Sequence, residues 1–144
     1  MRTSIRAIGL ATVLGLAVLP MVVQADDEAV AEAITDYMDF ATETAGIILA
    51  DQIDKDVFEA ATFFDVRSAV EYKKGHIPGA RNIEWRSLPG RIDEIPETGL
   101  VVFYCNTGMR SAQVTFAARL MGRENVLVMQ GGMEEWQKSA AYKP

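Results

Sequence analysis

Short apolar stretches alternate with stretches of helical periodicity along most of the chain. The apolar stretches predict β-strands at residues 47–50, 63–66, 81–83, 100–104 and 125–129. The intervening segments predict helices at residues 51–59, 68–74, 87–94, 111–121 and 133–140. Alternation of this kind is typical of an α/β fold, in which a mostly parallel sheet is covered by helices. The sequence LVVFY at 100–104 has no polar alternation, which indicates a central strand buried on both faces.

An additional helix is predicted before the first strand, at residues 28–44. Its apolar side chains recur at helical spacing, at Val30, Ala33, Ile34, Tyr37, Met38 and Ala41. Acidic residues fill many of the other positions, so the helix is amphipathic. We expect its apolar face to pack on the core of the protein. The alternative is that this helix docks a partner protein.

The first 25 residues have the pattern of a bacterial secretory signal peptide. Arg2 and Arg6 precede an apolar run at 7–23, and the small residue Ala25 follows it closely. A retained membrane anchor is the alternative, but the run is short for a bilayer span and Pro20 interrupts it. We therefore predict cleavage after Ala25, a periplasmic location and no stable membrane insertion of the mature protein.

Cleavage at this position would leave 119 of the 144 residues, which is enough for one domain but too few for two. We expect a helical segment at 26–46 and an α/β domain at 47–144. The mature chain would keep 12 basic and 20 acidic residues, a net charge of −8 with the histidine neutral. Such a charge argues against binding to nucleic acid or to anionic lipid.

Cys105 is the only cysteine, so it cannot form a disulfide within the chain. It directly follows the predicted central strand, and the carboxyl ends of strands are where open α/β sheets bind ligands. The next predicted helix begins only six residues later. Its unpaired backbone N–H groups and the positive end of its dipole should therefore face the sulfur.

Three effects are expected to stabilise a thiolate at Cys105: the helix dipole, a ring of backbone N–H groups, and the guanidinium of Arg110. Gly108 fits this arrangement, because such a ring requires a backbone conformation that glycine adopts at little cost. The residue types thus predict a nucleophilic cysteine beside a site for an anion or a bound persulfide.

Two features after the second predicted strand are expected to be structural. Ser68 and Glu71 form a capping-box pattern at a helix start. The sequence IPG at 77–79 predicts a turn in which Gly79 has a positive φ. His76 adjoins this turn and has no nucleophile next to it in sequence, so we expect it to have a structural role.

The sequence CNTGMRS at 105–111 resembles the active-site loop of rhodanese-like sulfurtransferases. Other motifs of that family are matched by DVR and EY within 65–72, by GHIPGA and NI within 75–83, and by GGM with a tryptophan within 131–136. Together the motifs extend over about 47–142, with their order and spacing intact, which makes the match specific.

The resemblance implies a five-stranded parallel sheet flanked by helices, to which the helix at 28–44 is an addition. It also implies that Cys105 takes sulfane sulfur from a donor such as thiosulfate and passes it, through a persulfide, to cyanide or a thiol. No metal or organic cofactor is implied. The implied donor-binding residues are Arg110 and the N–H groups of Asn106, Thr107, Gly108 and Met109. The implied supporting residues are Asp65, Arg67 and Glu71, which are expected to hold the loop rather than to take part in the chemistry.

The loop departs from many thiosulfate-using relatives in one respect: the residue after the cysteine is neutral Asn106 where they carry a basic residue. Less positive charge is then available to attract a dianion. Asparagine also follows the cysteine in the periplasmic phage-shock type of rhodanese, which this chain resembles. The substitution therefore affects the expected donor and leaves the family resemblance intact.

Three other functions are alternatives to sulfur transfer. Cysteine-based phosphatases have five residues between cysteine and arginine, whereas four separate Cys105 from Arg110, so a phosphatase is disfavoured. A second alternative is a persulfide carrier or sensor that acts on a partner protein with little turnover of small molecules. A third is a domain that keeps the fold without the chemistry, which the presence of Cys105, Gly108 and Arg110 argues against.

Overall fold

The computed structural model describes residues 27–42 and 44–144, and within them five parallel strands form one sheet. The strands are β1 (Ile47–Ile48), β2 (Ala61–Asp65), β3 (Arg81–Asn82), β4 (Leu100–Tyr104) and β5 (Val126–Met129). Their spatial order is β1-β5-β4-β2-β3, so β4 lies at the centre. The predicted α/β architecture is confirmed.

Five α-helices surround the sheet in the described residues. They are α1 (Asp27–Phe40), α2 (Lys55–Ala60), α3 (Ala69–Lys74), α4 (Met109–Leu120) and α5 (Gly132–Ser139). Helix α3 begins after Ser68, whose hydroxyl accepts a hydrogen bond from the Glu71 N–H, as the capping box predicted. Gly79 has φ +79°, as predicted for the turn that follows α3.

The predicted boundaries were wrong in several elements. Strand β1 has two residues rather than four, because the chain enters a 3₁₀ turn at Ala50–Gln52. The helix predicted at 51–59 starts only at Lys55, where the Asp54 side chain accepts a hydrogen bond from Val57 N–H. The segment Trp85–Glu94 is 3₁₀ helix with a kink at Arg91, and Pro89 inside it cannot donate a backbone hydrogen bond.

The core lies on both faces of β4, because its side chains alternate between them. Val101 and Phe103 point to the side covered by α4 and the 3₁₀ segment. Val102 and Tyr104 point to the side where Met133 and Trp136 of α5 pack. Every residue from Val101 to Cys105 is buried. The prediction of a strand buried on both faces is confirmed.

Helix α1 is shorter and more exposed than predicted. It ends at Phe40, and the two threonines at 42 and 44 are weak helix formers. It contacts the rest of the protein mainly through α4, where the Tyr37 ring packs edge-on against Phe116. Val30 and Met38 remain 50% and 61% exposed. The predicted packing of its apolar face is therefore limited to one part of the helix.

The predicted signal peptide at 1–25 lies outside the described residues. In the part of the chain that the structure describes, no helix combines the length and the apolar character needed to cross a bilayer.

Candidate active site

Cys105 is the first residue after β4, and its side chain is 3% exposed. Its backbone carbonyl accepts a hydrogen bond of 2.7 Å from the N–H of Met133, the second residue of α5. Four residues after it, Met109 begins α4. The thiol is thus placed between the end of the central strand and a helix N-terminus, as the sequence predicted.

The surroundings of Cys105 lower the pKa of its thiol. Burial raises the pKa, because it disfavours a charged sulfur. Hydrogen bonds to the sulfur outweigh burial: they come from the Ser111 hydroxyl and from the N–H groups of Ser111, Thr107 and Arg110. The balance favours the thiolate, which is the nucleophilic form of cysteine.

Ser111 is a contributor that the sequence analysis missed. Its Oγ lies 3.5 Å from Cys105 Sγ and 3.0 Å from the carbonyl oxygen of Gly108, and the side chain is fully buried. The hydroxyl has one hydrogen, which it can donate to a thiolate or to the carbonyl. This role was not predicted from the sequence, because we expected the helix to start at Ser111. With the observed start at Met109, Ser111 is the third helical residue.

The loop is shaped by glycines that contact each other across two turns. Gly108 has φ +91°, a conformation that favours glycine, and an added Cβ would lie 3.1 Å from the N atom of Gly131. Gly132 has φ +57°, and a Cβ there would lie 2.4 Å from the carbonyl oxygen of Cys105. The start of α5 therefore has to be free of side chains for the Cys105 loop to rest on it.

Asp65 and Arg67 form a buried ion pair under the loop. Arg67 Nε lies 2.9 and 3.0 Å from the two carboxylate oxygens of Asp65, and Arg67 Nη2 lies 2.5 Å from Oδ2. The third nitrogen of the guanidinium, Arg67 Nη1, donates to Asn106 Oδ1 at 3.1 Å. The ion pair thereby holds Asn106, the residue next to Cys105, which agrees with a supporting role.

Glu71 holds the same asparagine from the other side. Asn106 Nδ2 donates to Glu71 Oε1 at 2.8 Å, while Oε2 of Glu71 accepts from the Ser68 hydroxyl at 2.6 Å. These hydrogen bonds lower the pKa of the Glu71 carboxyl to about 2, with the Ser68 side chain as the largest cause and Asn106 next. The Asn106 side chain is thus fixed between a cation and an anion.

Tyr104 and His76 lie close to this network. The buried Tyr104 hydroxyl accepts a hydrogen bond from the Ile77 N–H at 3.0 Å, and burial is the main cause that raises the pKa of this phenol. The phenol therefore ties the end of β4 to the turn after α3. His76 stacks on Tyr72, with ring centroids 3.9 Å apart, and its Nδ1 lies 2.9 Å from the Tyr72 carbonyl oxygen.

Cys105 opens into a cavity of about 520 Å³. The other lining residues are Glu71, Asn106, Thr107, Met109, Arg110, Gln113 and Glu134. Arg110 is exposed, and among the described residues no hydrogen bond or ion pair engages its guanidinium. An anion in the cavity would therefore meet a cation that is not already paired.

A neighbouring cavity of about 390 Å³ shares Glu71 and Asn106 with the Cys105 cavity. Lys74 and His76 line this second cavity and not the first. Across 27–42 and 44–144, no group of three His, Cys, Asp or Glu side chains is arranged to hold a metal ion. The chemistry that this arrangement supports is nucleophilic attack by the Cys105 thiolate on a small electrophile.

Comparison with known proteins agrees with this geometry. The model of the rhodanese-like domain family matches residues 48–139. A human single-domain sulfurtransferase has a similar structure, with a TM-score of 0.61 and 26% identity, over 65% of this chain and 96% of the human chain.

Two bacterial relatives are similar in sequence. A protein of Allochromatium vinosum named sulfurtransferase is 34% identical over 80 residues, which are 56% of this chain and 75% of the relative. An uncharacterized protein of Bacillus subtilis is 34% identical over 79 residues, which are 55% of this chain and 63% of that protein. The chain thus spans less than two thirds of the Bacillus protein.

Proposed function

The chain belongs to the family of rhodanese-like domains, and from that membership we propose that it is a sulfurtransferase in which Cys105 carries the transferred sulfur. The observation that carries this proposal is the buried Cys105 thiol, whose pKa is lowered and whose sulfur faces a cavity lined by Arg110. The activity of the Allochromatium relative, as its name gives it, points the same way.

The first step is attack of the Cys105 thiolate on the sulfane sulfur of a donor such as thiosulfate. The sulfur–sulfur bond of the donor breaks, sulfite leaves with the electron pair, and Cys105 becomes a persulfide. Hydrogen bonds from Thr107, Arg110 and Ser111 favour the thiolate before this step. The transferred sulfur is predicted to be held by the backbone N–H groups of Asn106, Thr107, Gly108 and Met109.

The second step returns Cys105 to its starting form. A thiolate or cyanide attacks the outer sulfur of the persulfide, the new sulfur–sulfur or sulfur–carbon bond forms, and the Cys105 thiolate leaves. Because Cys105 is the only cysteine, no second thiol of this chain can attack its persulfide. The intermediate should therefore persist until an external acceptor arrives.

The test is the intact mass of the protein after incubation with thiosulfate, and again after addition of cyanide or a small thiol. We expect the mass of one added sulfur atom, lost again with the acceptor. Protein alkylated at Cys105 beforehand is the control, and Cys105→Ser should gain no sulfur. Normal transfer by Cys105→Ser would overturn the mechanism.

Arg110 is proposed to bind the charged oxygens of the donor. Arg110→Ala should lower kcat/KM for thiosulfate by about fivefold, since an exposed ion pair contributes up to about 1 kcal/mol. A neutral organic polysulfide should be affected less. Arg86→Ala is a control with the same change of charge, because Arg86 is exposed and does not line the Cys105 cavity. An equal loss with both donors would remove this role from Arg110.

A persulfide carrier that acts on a partner protein is the second candidate, and the exposure of α1 favours it. Val30 and Met38 present apolar surface that no other described residue covers. Transfer to a partner protein that exceeds transfer to small thiols, and that falls in Met38→Ala, would support this role. Fast turnover with small thiols and no response to Met38→Ala would reject it.

Export to the bacterial periplasm is also part of the proposal, and the arginines and apolar run of residues 1–25 support it. Expression of the full chain in bacteria, followed by cell fractionation and N-terminal sequencing, tests it. We expect a periplasmic protein that begins at Asp26. A cytoplasmic protein with an intact N-terminus would contradict export.

A further inference from the structure

Three charged side chains from three helices line the Cys105 cavity. Glu71 comes from α3, Arg110 from the first turn of α4, and Glu134 from the first turn of α5. Two carboxylates and one guanidinium thus line the cavity, and a thiolate at Cys105 would add a third negative charge. The charged side chains that line the cavity therefore sum to a negative charge, even though Arg110 of the active-site loop is among them.

Among the described residues Arg110 is the only cation that lines the cavity, although the charge of Arg67 also acts on Glu71. Arg67 is already paired with Asp65 in the buried ion pair below the loop. Lys74 and His76 line the neighbouring cavity and not this one. Asn106 itself is neutral, and both ends of its amide are engaged by Arg67 and Glu71.

The two carboxylates differ in what engages them. Glu71 accepts hydrogen bonds from Ser68 and Asn106, so it belongs to the scaffold of the site. Glu134 is held only through its backbone, whose N–H donates to the Asn106 carbonyl oxygen at 3.0 Å. In the described part of the chain its exposed carboxylate has no hydrogen bond or ion pair. Its charge is therefore available to whatever enters the cavity.

Electrostatics in this cavity acts differently on different donors and acceptors. A dianion such as thiosulfate gains from Arg110 but is repelled by Glu71 and Glu134. A molecule with an ammonium group close to its sulfur is attracted by Glu71 and Glu134 and repelled by Arg110. At partly exposed sites such differences amount to a few-fold in rate or affinity, and salt reduces them.

We propose that Glu134 is a specificity-determining residue that makes the Cys105 cavity select ammonium-bearing thiols and persulfides over inorganic dianions. This inference rests on the proposed sulfur transfer and names its substrate class. The substrate would be a small aminothiol, or the persulfide of one, whose ammonium group pairs with the Glu134 carboxylate while its sulfur reaches Cys105 Sγ.

Glu134 also has a structural role, which a test must separate from its effect on the charge preference of the cavity. An acidic residue in the first turn of a helix stabilises it through the helix dipole. Glu135 occupies the same first turn of α5 but lines a different cavity, with Leu49 and Gln130. Glu135→Gln is therefore a matched control for Glu134→Gln, since both remove one charge from the same helix end.

The experiment compares the two variants with the wild type in sulfur transfer. For each, kcat/KM is measured with thiosulfate as donor, and the rate of persulfide discharge is measured with cysteamine and with 3-mercaptopropionate. For each acceptor, the discharge rate of the variant is divided by that of the wild type, which cancels the intrinsic reactivity of the acceptor thiol. Glu134→Gln should raise kcat/KM for thiosulfate about two- to fivefold and should lower the cysteamine rate relative to the 3-mercaptopropionate rate by a similar factor.

A second measurement needs no sulfur transfer. Cys105 is modified with methanethiosulfonates that carry either an ammonium or a sulfonate group, and the ratio of the two rates reports the charge preference of the cavity. We expect the wild type to favour the ammonium reagent, and Glu134→Gln to reduce this preference about two- to fivefold at low salt and less at high salt. Glu135→Gln should leave it close to the wild-type value.

The outcomes separate the inference from the function on which it rests. The specificity role of Glu134 would be overturned if Glu134→Gln and Glu135→Gln had the same ratio of ammonium to sulfonate modification rates, or if salt did not change the effect of Glu134→Gln on this ratio. This holds even if sulfur transfer is normal. Absence of a Cys105 persulfide in the wild type would reject the sulfurtransferase proposal. The methanethiosulfonate ratios would still decide whether Glu134 sets the charge preference of the cavity.

Discussion

The reactivity of Cys105 depends on a few hydrogen bonds that act against the cost of burying a charge. Burial alone would hold the sulfur as a neutral thiol, because a charged group loses its hydration. The Ser111 hydroxyl is the largest of the opposing causes, followed by backbone N–H groups. A single buried hydroxyl is thus in a position to set the fraction of thiolate.

Ser111→Ala should shift the pKa of Cys105 upward, because it removes the hydroxyl that favours the thiolate. The measurement is the rate of Cys105 alkylation as a function of pH, whose midpoint should move to higher pH in the variant. Thr115→Val is the control, since Thr115 is buried one turn further along α4 and its hydroxyl has no partner among the described residues. An unchanged midpoint in Ser111→Ala would contradict this role.

Asn106 shows how the role of a residue can differ from the one its charge suggests. From the sequence, its neutral side chain meant a missing positive charge near the donor. In the structure its amide connects Arg67 to Glu71 and so fixes the residue next to the nucleophile. The effect of Asn106 on donor choice stays a prediction, and the structure adds a contact through which Asn106 holds the loop.

At the scale of elements, the start of α5 acts as a support for the active-site loop. Its N–H groups donate to the carbonyl oxygens of Cys105 and Asn106, at 2.7 and 3.0 Å. Close approach is possible because Gly132 has no side chain. These contacts couple the position of Cys105 to the packing of Trp136, which anchors α5 in the core.

Gly132→Ala should therefore reduce transfer strongly, because the new Cβ would lie 2.4 Å from the Cys105 carbonyl oxygen. The positive φ of +57° adds about 1–2 kcal/mol of backbone strain. Gly122→Ala provides the control: its φ is +87°, yet an added Cβ meets nothing within 4 Å. Urea titrations should show a lower free energy of unfolding in both variants, while kcat should fall only in Gly132→Ala. Equal activities would argue against the support.

Glu71 links the start of α3 to stability in acid. Its pKa of about 2 lies below the ordinary glutamate value of 4.5, so its contribution to stability is fully present above about pH 4.5 and is lost as the pH falls toward 2. Glu71→Gln should unfold more easily than the wild type at pH 6, and the difference in the free energy of unfolding should shrink toward pH 3. Urea titrations at both pH values test this. A difference independent of pH would contradict the assignment.

Several elements could not be bounded from sequence. The start of α4 was placed two residues late, because Met109 and Arg110 carry no capping signal and the N-cap is glycine. The segment 85–94 has helical spacing of apolar residues, but Pro89 and packing against α4 favour 3₁₀ turns. By contrast, β4 was predicted to the residue, since burial on both faces requires an unbroken apolar run.

At the scale of the whole molecule, α1 is attached to the domain by a small contact. The Tyr37 ring lies 5.0 Å from the Phe116 ring, and the Arg119 guanidinium lies 5.8 Å from the Tyr37 ring centroid. This contact lies beside the carboxyl half of α4, while Cys105 faces its amino end. The attachment of α1 and the chemistry of the site should therefore be separable.

Tyr37→Ala should lower the free energy of unfolding by about 1 kcal/mol, the size of a typical aromatic contact, and leave transfer to small thiols unchanged. Met38→Ala is the control on the same helix, because Met38 is 61% exposed and should not affect stability. Thermal unfolding and steady-state rates of both variants test this. A large loss of small-molecule activity in Tyr37→Ala would show that α1 influences the site.

The sequence by itself determined the class of fold, the central strand and the position of Cys105 at the end of that strand. These follow from local patterns: an apolar run, helical spacing, and one cysteine at the junction of strand and helix. The tertiary structure alone brought Ser111 to the sulfur, Arg67 and Glu71 to opposite ends of Asn106, and Glu134 to the cavity. The carboxyl ends of β2, β4 and β5 meet at one edge of the sheet, and residues separated by up to 63 positions become neighbours there only once the parallel strands have paired.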